Sequence, residues 1–322
     1  MNHRANESQL IQKASFSLTD PGGILLPITT PFRDNGVIDT AALRLNIQNW
    51  RVSGIAGFIA LGSTGERAHL DEGEYLEVIE AARSEVPANL SFIVGSGQHS
   101  TLKTIAEIRT AAHAGADAVL VLTPYYYRPA ITQEVLVDHY RAVADASPVP
   151  VILYSMPALT GVKIAPETAA SLSEHENVIG LKDSSNDLKE FESTVKLCRS
   201  DFAVMTGNGT VLREALLDGA RGGILAVGCV VPDICLEIFQ ATRVGDDSRA
   251  DSLQEKLTPL AAAVTTKYGI GGLKAAMDMN GYRGGAVRAP LRAPDDHARE
   301  EIAHLLNAAQ AALRGYTVER TR

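Results

Sequence analysis

Val178-Ile179-Gly180-Leu181-Lys182 runs directly into Asp183-Ser184-Ser185-Asn186-Asp187. The first stretch is apolar at consecutive positions, as in a strand covered on both faces, and the second is polar and turn-forming. Lys182, at the junction, is an amine carried to the end of a buried strand. An ammonium held there is poorly solvated, so the neutral, nucleophilic amine becomes accessible, as a Schiff-base enzyme requires. Seven further apolar runs resemble this one, at 23–28, 57–61, 90–95, 118–122, 149–154, 202–205 and 223–227.

Helical patterns separate these runs. One opens at Asp39 as N-cap, places Leu43, Ile47 and Trp50 on one face, and stops at Gly54. Another opens at Asp71 with Glu74 as capping-box partner and carries Tyr75, Ile79 and Ala82. A third runs from near Thr101 to Gly115 with Ile105, Ile108 and Ala112. Strands apolar on both faces and alternating with helices are parallel and doubly covered. The pattern predicts an α/β fold, a (β/α)8 TIM barrel with a C-terminal helical extension. An open doubly wound sheet is the competitor, but Thr29-Thr30-Pro31-Phe32 follows the first run where a glycine-rich dinucleotide fingerprint would stand. After the eighth run the chain reads as helices at roughly 233–243, 248–268, 271–280 and 296–314, divided by Gly269, Gly281 and Pro290. The expected organisation is a flexible extension over 1–17, a barrel over 18–232, and a helical region over 233–322 packed on it.

A length of 322 residues suits one large barrel with an appendage. A net charge of −8 with no basic stripe argues against a nucleic-acid partner. No apolar run approaches the roughly 20 residues needed to span a bilayer, so no membrane association is expected. The first 17 residues, Glu7 among them, are polar and lack the apolar core of a signal peptide, which suggests a cytoplasmic protein. Cys198, Cys229 and Cys235 form no CxxC pair, so neither zinc nor a disulfide framework is expected, and a reducing compartment fits.

In a barrel, reactive groups lie at the C-terminal strand ends. Those ends read Thr29-Thr30, Gly62-Ser63-Thr64-Gly65-Glu66, Gly95-Ser96-Gly97, Thr123-Pro124-Tyr125-Tyr126, Tyr154-Ser155, Lys182-Asp183-Ser184, Gly207-Asn208-Gly209 and Gly228. They carry hydroxyls, glycines and one lysine, with no histidine and no acidic cluster. A metal-dependent enzyme would place His, Asp or Glu at several of them, and a serine hydrolase would need a histidine beside Ser63 or Ser184. Glu174-His175-Glu176 reads as solvated surface, and no metal is expected. Gly62-Ser63-Thr64-Gly65 is either an anion cradle, offering backbone N–H and hydroxyl donors, or a simple turn. Gly207-Asn208-Gly209 and Gly222-Gly223 likewise either hold a phosphate or only turn the chain. Tyr154 either shuttles protons or buries its ring in the barrel mouth. Lys163 reads as a solvent-facing loop lysine, and Lys267 and Lys274 as surface charges on C-terminal helices.

Taken together, Gly62-Ser63-Thr64-Gly65-Glu66, Thr123-Pro124-Tyr125-Tyr126, Leu153-Tyr154-Ser155-Met156-Pro157 and Gly180-Leu181-Lys182-Asp183 resemble the dihydrodipicolinate synthase/N-acetylneuraminate lyase family of class I, pyruvate-handling aldolases. The resemblance covers about residues 20–295, including Gly281-Tyr282-Arg283-Gly284-Gly285 and Arg288-Ala289-Pro290-Leu291. It implies that Lys182 forms an imine with pyruvate or a 2-oxo acid and that no separate cofactor is needed. Ser63 and Thr64 would hold the oxo-acid carboxylate. Tyr154 would move protons through Ser63 and through Tyr126 of a neighbouring subunit, in a homotetramer built as a dimer of dimers. Ser63, Thr64, Ser184 and Gly207 are the candidate substrate contacts.

Dihydrodipicolinate synthases resembling this chain carry an arginine two residues after the proline of the Tyr-x-x-Pro strand end, to grip a second carboxylate. Leu159 stands there, which counts against that activity. Pro157-Ala158-Leu159-Thr160-Gly161-Val162-Lys163 is similar to sialic acid lyases, and Tyr154-Ser155, Lys182-Asp183-Ser184 and Gly95-Ser96-Gly97 are similar to 4-hydroxy-2-oxoglutarate aldolases. So is the run from Ala262 through Tyr268-Gly269-Ile270 and Gly272-Leu273-Lys274 to Met277-Asp278, although Thr64 stands where that branch often has Asn. The expected function is cleavage or formation of a 4-hydroxy-2-oxo acid, with pyruvate and a small aldehyde or 2-oxo acid as partners. Dihydrodipicolinate synthesis, or a Schiff-base dehydratase or deaminase acting on a sugar-acid or hydroxyproline-derived substrate, are the alternatives. A non-catalytic binding barrel is the reading outside enzymes. Arg283 and Arg288 face either a distal carboxylate or the surface.

Overall fold

A computed structural model describes residues 22–319. The expected extension over 1–17 lies outside the described residues. Eight strands follow one another around a closed parallel barrel: β1 (Gly23–Pro27), β2 (Gly57–Ala60), β3 (Ser91–Ser96), β4 (Ala118–Leu122), β5 (Val151–Ser155), β6 (Val178–Asp183), β7 (Ala203–Thr206) and β8 (Gly222–Ile224). Pairing of Gly23 with Gly222, Ile24 with Gly223 and Leu25 with Ile224 closes the ring, and the open-sheet alternative falls away.

Along β5, Val151 and Leu153 pack outwards under the helices, while Ile152 and Tyr154 point into the barrel with Leu25, Ile59, Leu120 and Met205. β6 departs from this alternation. Val178 pairs with Val151, yet Gly180 pairs with Ile152, so Ile179 is passed over. Val178 belongs to the outer layer, and strict alternation would carry Lys182 outwards with it. The skipped residue shifts the phase, and Lys182 stands between Tyr154 and Met205, both of which face the interior.

The helices begin where their caps predict. Asp39 accepts from Ala42 N, and Asp71 and Glu74 form a reciprocal capping box. Leu43, Ile47 and Trp50 are buried, as are Tyr75, Ile79 and Ala82. On the helix Thr101–His113 Ile108 is buried and Ile105 packs against the core, and Thr104, Glu107 and Ala111 are buried beside them. Thr104 and Glu107 accept from Gln98 N and Gly97 N in the β3 loop, which rotates two polar side chains into the buried stripe. After β8 the expected strand bends into a short turn at Ala226–Cys229. Helices Pro232–Val244, Asp247–Ala262, Gly269–Met279 and Asp296–Glu319 follow, the second continuing into a wider helical turn over Ala263–Lys267. The third is tied to the barrel: Thr29 Oγ1 donates to Met277 Sδ at 3.5 Å. Among the described residues no helix is long and apolar enough to cross a membrane.

Candidate active site

At the C-terminal end of the barrel, β2 leads into a tight turn, Ser63–Gly65, in which Gly65 N donates to Gly62 O at 3.0 Å. The first N–H groups of such a turn have no acceptor within it and face outwards. Leu61 and Glu66 bracket the turn in the left-handed region, at φ 61° and 53°. Non-glycine residues adopt that conformation only when surrounding contacts hold them there. Thr64 is buried and Ser63 half-buried. Ser63 Oγ lies 3.5 Å from the Tyr154 hydroxyl.

Tyr154 and Lys182 sit in the barrel mouth at 4% and 5% exposure. Lys182 Nζ lies 4.4 Å from the centroid of the Tyr154 ring, a cation–π contact that places the amine against the tyrosine face. Across from it, Gly207 leaves open the space a side chain would fill: a β-carbon there would stand 1.9 Å from Ser184 Oγ and 2.8 Å from Lys182 Cε. Ser184 N donates to Ser155 O and Gly207 N to Asp183 O, so the loops after β5, β6 and β7 are laced together. Asp183 accepts from Ser185 N at 2.7 Å and Ser185 Oγ at 3.1 Å, which shapes the β6 loop. Burial raises its pKa, with the Ser185 donors opposing.

A cleft of about 690 Å³ opens beside Tyr154 and Ser63 over β2 and β3. Arg67, His69, Gln98 and His99 supply polar groups to its lining, and Leu122, Leu159, Ile270 and Leu291 supply apolar ones. Tyr154 lines this cleft, whereas Lys182 reaches it only through the tyrosine ring it touches. Leu159 is 66% exposed at the rim, not buried as a clamp position would be.

Beneath the Ser63–Gly65 turn lies a buried ionic network. Lys274 is 1% exposed and donates to Glu66 Oε1 at 2.5 Å, Thr30 O at 2.8 Å and Ala286 O at 2.6 Å. Its expected role as a surface charge is therefore wrong. Helix Gly269–Met279 packs on the barrel mouth, and the three acceptors replace the water that the ammonium loses. Burial lowers its pKa, with the charge of Glu66 opposing. Arg288 makes paired hydrogen bonds to Glu74 at 2.6 and 2.7 Å and stacks on Phe32, so it is committed to the fold and not free for a distal carboxylate. Arg283 is exposed.

A family model for the dihydrodipicolinate synthetase family matches residues 20–309. The chain belongs to that family. A 4-hydroxy-tetrahydrodipicolinate synthase of Syntrophus aciditrophicus is 35% identical over 284 residues, spanning 88% of this chain and 97% of the relative. The dihydrodipicolinate synthase of Thermotoga maritima superposes with a TM-score of 0.85 at 30% identity, covering 90% of this chain and 98% of that one. A prophage protein of the dihydrodipicolinic acid synthase family from E. coli K12, solved with pyruvate, gives 0.84 at 27% identity, covering 90% and 98%. Family members are pyruvate-dependent carbon–carbon lyases of the Schiff-base type, and this chain is such a lyase. The expected placement among 4-hydroxy-2-oxoglutarate aldolases finds no support in these relatives, which carry the synthase name.

Among the predicted site residues, the family fold brings Lys182, Tyr154, Ser63, Ser184 and Gly207 together, with Thr64 behind Ser63 in the same turn. It does not bring Tyr126 to them within one chain. That ring is 69% exposed, does not line the cleft, and packs against His99 at the cleft's edge and edge-on against Tyr127. Gly222-Gly223 neither turns nor cradles. It is strand β8, where a β-carbon on Gly222 would stand 1.9 Å from Gly23 O. Asn208 caps the turn after β7 by accepting from Thr210 N. His175 pairs with Asp145, and no group of three or more His, Cys, Asp or Glu is placed to hold a metal ion among the described residues. Lys163 and Lys267 are exposed and paired with Glu190 and Glu301. Glu66 went unassigned in the sequence; its position directly after Gly65 was the available signal.

Proposed function

We propose that Lys182 condenses with the keto carbon of pyruvate, with loss of water, to form an imine, and that Ser63 and Thr64 hold the pyruvate carboxylate. The observation that carries this reading is the contact between Lys182 Nζ and the face of Tyr154, whose hydroxyl in turn reaches Ser63. In the cleavage direction Tyr154 takes the proton of the C4 hydroxyl of a 4-hydroxy-2-oxo acid. The C3–C4 bond breaks, its electron pair moves into the protonated imine to give an enamine, and an aldehyde leaves. C3 is then protonated, and water releases pyruvate and the free amine. Condensation runs the same steps in reverse. Tyr154 passes its proton through Ser63 and through Tyr126 of a neighbouring subunit in a homotetramer. Ser184 and Gly207 border the reacting carbon.

The names of the relatives support condensation with aspartate semialdehyde. A second reading, cleavage of a 4-hydroxy-2-oxo acid such as 4-hydroxy-2-oxoglutarate, is favoured by Leu159, which offers no cation to a second carboxylate. Dehydration or deamination shares the imine only: there the enamine forms by loss of the C3 proton and expels water or ammonia from C4, with the C3–C4 bond intact. The buried free thiols Cys198, Cys229 and Cys235 suit a reducing, cytoplasmic setting.

Borohydride reduction with pyruvate present tests the shared step. A pyruvate-derived mass on Lys182, absent from Lys182→Ala, is the expected result; no adduct, or one on another lysine, would end the proposal. Assay with aspartate semialdehyde and with a panel of 4-hydroxy-2-oxo acids, scored for product, pyruvate, water and ammonia, separates the partners.

A further inference from the structure

The carboxylate of Glu66 takes three hydrogen bonds from the rest of the protein. Oε1 accepts from Lys274, while Oε2 accepts from His69 Nδ1 at 3.0 Å and from Arg288 N at 3.1 Å. Glu66 borders the cleft, but with three donors on its carboxylate and 3% exposure it acts on the site chiefly through its neighbours. Those neighbours converge on the Ser63–Gly65 turn. Glu66 is the residue that ends the turn, in a left-handed conformation that a side chain does not favour. Thr30, whose carbonyl accepts from Lys274, sends its own hydroxyl to Gly65 O at 2.9 Å. Lys274 therefore grips the turn at two points, through Glu66 and through Thr30. Its third donor goes to Ala286, whose N–H donates to Phe32 O, which anchors the pair to the strap that follows the helix.

We propose that Glu66 and Lys274 are a positioning pair. Together they hold the Ser63–Thr64 turn in the geometry that receives the pyruvate carboxylate, and this role rests on the imine reading above. Two consequences follow from the geometry. Losing the Glu66 side chain removes the contacts that hold the left-handed residue and lets the turn relax. Losing Lys274 alone removes the Oε1 contact and the tie to Thr30, and leaves the buried Glu66 carboxylate without its lysine next to the place where another carboxylate must bind. Both changes weaken pyruvate capture and leave the chemistry of Lys182 intact once pyruvate is bound.

The test is the pyruvate concentration at which borohydride traps half of Lys182, which requires no knowledge of the aldehyde. Wild type is compared with Glu66→Gln, Glu66→Ala, Lys274→Met and the double variant Glu66→Gln/Lys274→Met, all checked for fold by circular dichroism. The expected result is a half-saturation raised roughly tenfold or more in Glu66→Ala and Lys274→Met, with full trapping at high pyruvate. Glu66→Gln, whose amide NH2 must face either Lys274 or the Arg288 N–H, also raises the half-saturation, and the double variant, which leaves no buried lysine–carboxylate charge unmatched and keeps the Gln carbonyl on His69 and Arg288 N, recovers most of what Lys274→Met loses. If Glu66→Ala fails to fold, the contrast between Lys274→Met and the double variant decides by itself. Unchanged half-saturation in the folded variants overturns the pair's role while the imine reading stands, and so does a loss of maximal trapping at unchanged half-saturation. Absence of any Lys182 adduct in wild type overturns the imine reading and the pair's role with it.

Discussion

Gly207 and Lys182 face each other so closely that a β-carbon on Gly207 would stand 2.8 Å from Lys182 Cε, with Ser184 Oγ nearer still at 1.9 Å. In the reading proposed above, this is the space in which the imine carbon forms. Gly207→Ala pushes Ser184 and the lysine arm aside, and a displacement of about 1 Å at a reacting atom costs on the order of 10²-fold in rate. Turnover of Gly207→Ala should fall by about that factor with the melting temperature little changed. Wild-type turnover in the variant would show that the gap is not used.

Tyr154 touches Lys182 with its ring and Ser63 with its hydroxyl. Tyr154→Phe keeps the first contact and removes the second. Imine trapping on Lys182 by pyruvate and borohydride should persist, while steady-state turnover drops by roughly 10²- to 10⁴-fold, the range for loss of a general acid–base. Equal loss of both readouts would point to a packing role for the tyrosine.

Leu159 stands at the rim of the cleft with its side chain largely in water. Leu159→Arg introduces a guanidinium there at small cost to packing. Against an aldehyde bearing a carboxylate, kcat/KM should rise by about 10-fold, as a partly exposed charge-assisted hydrogen bond provides. An aldehyde without a carboxylate should show no gain. A rise for both substrates would mean that Leu159 acts by shape and not by missing charge.

His139, on helix Gln133–Ala146, is buried; its Nδ1 meets Thr101 Oγ1 at 2.9 Å, and its Nε2 has no partner among the described residues. Burial pushes its pKa down from 6.5 to about 4. The unfolded chain takes up this proton below about pH 6.5 and the folded chain only near pH 4, so the unfolded state gains as pH falls through that window. Stability from this site is complete above pH 6.5 and declines by about 3 kcal/mol at most towards pH 4. His139→Gln removes the titration. Its urea midpoint should fall less than that of wild type between pH 7 and pH 4.5, and parallel falls would assign acid sensitivity to other groups.

Much of the barrel was legible because its signals are local. Asp39 and Asp71 announce their helices by the chemistry of a single turn, and doubly apolar runs such as 118–122 can only be buried strands. Lys182, Tyr154 and Ser63 were legible as site candidates because strand ends in a barrel share one mouth. Lys274 was misread for the opposite reason. On its own helix it looks like any solvated lysine, and its acceptors Glu66, Thr30 and Ala286 come from three other segments. The burial of Glu107 on helix Thr101–His113 was not legible, because it is held inside by the β3 loop, a partner that helical periodicity does not contain.

By itself the sequence determined the eight strands, the helices between them, the lysine at the end of the sixth strand, and the leucine in place of a second carboxylate's arginine. The elements and the lysine follow from periodicity, caps and residue type, which act over a few residues; the meaning of the leucine comes from the family resemblance. The tertiary structure decided which way that lysine points. Val178 packs outwards, and only because Ile179 is passed over in pairing with β5 does Lys182 turn in to meet Tyr154 and Gly207. Register is a relation between two strands, fixed by how both pack, and one strand read alone does not contain it.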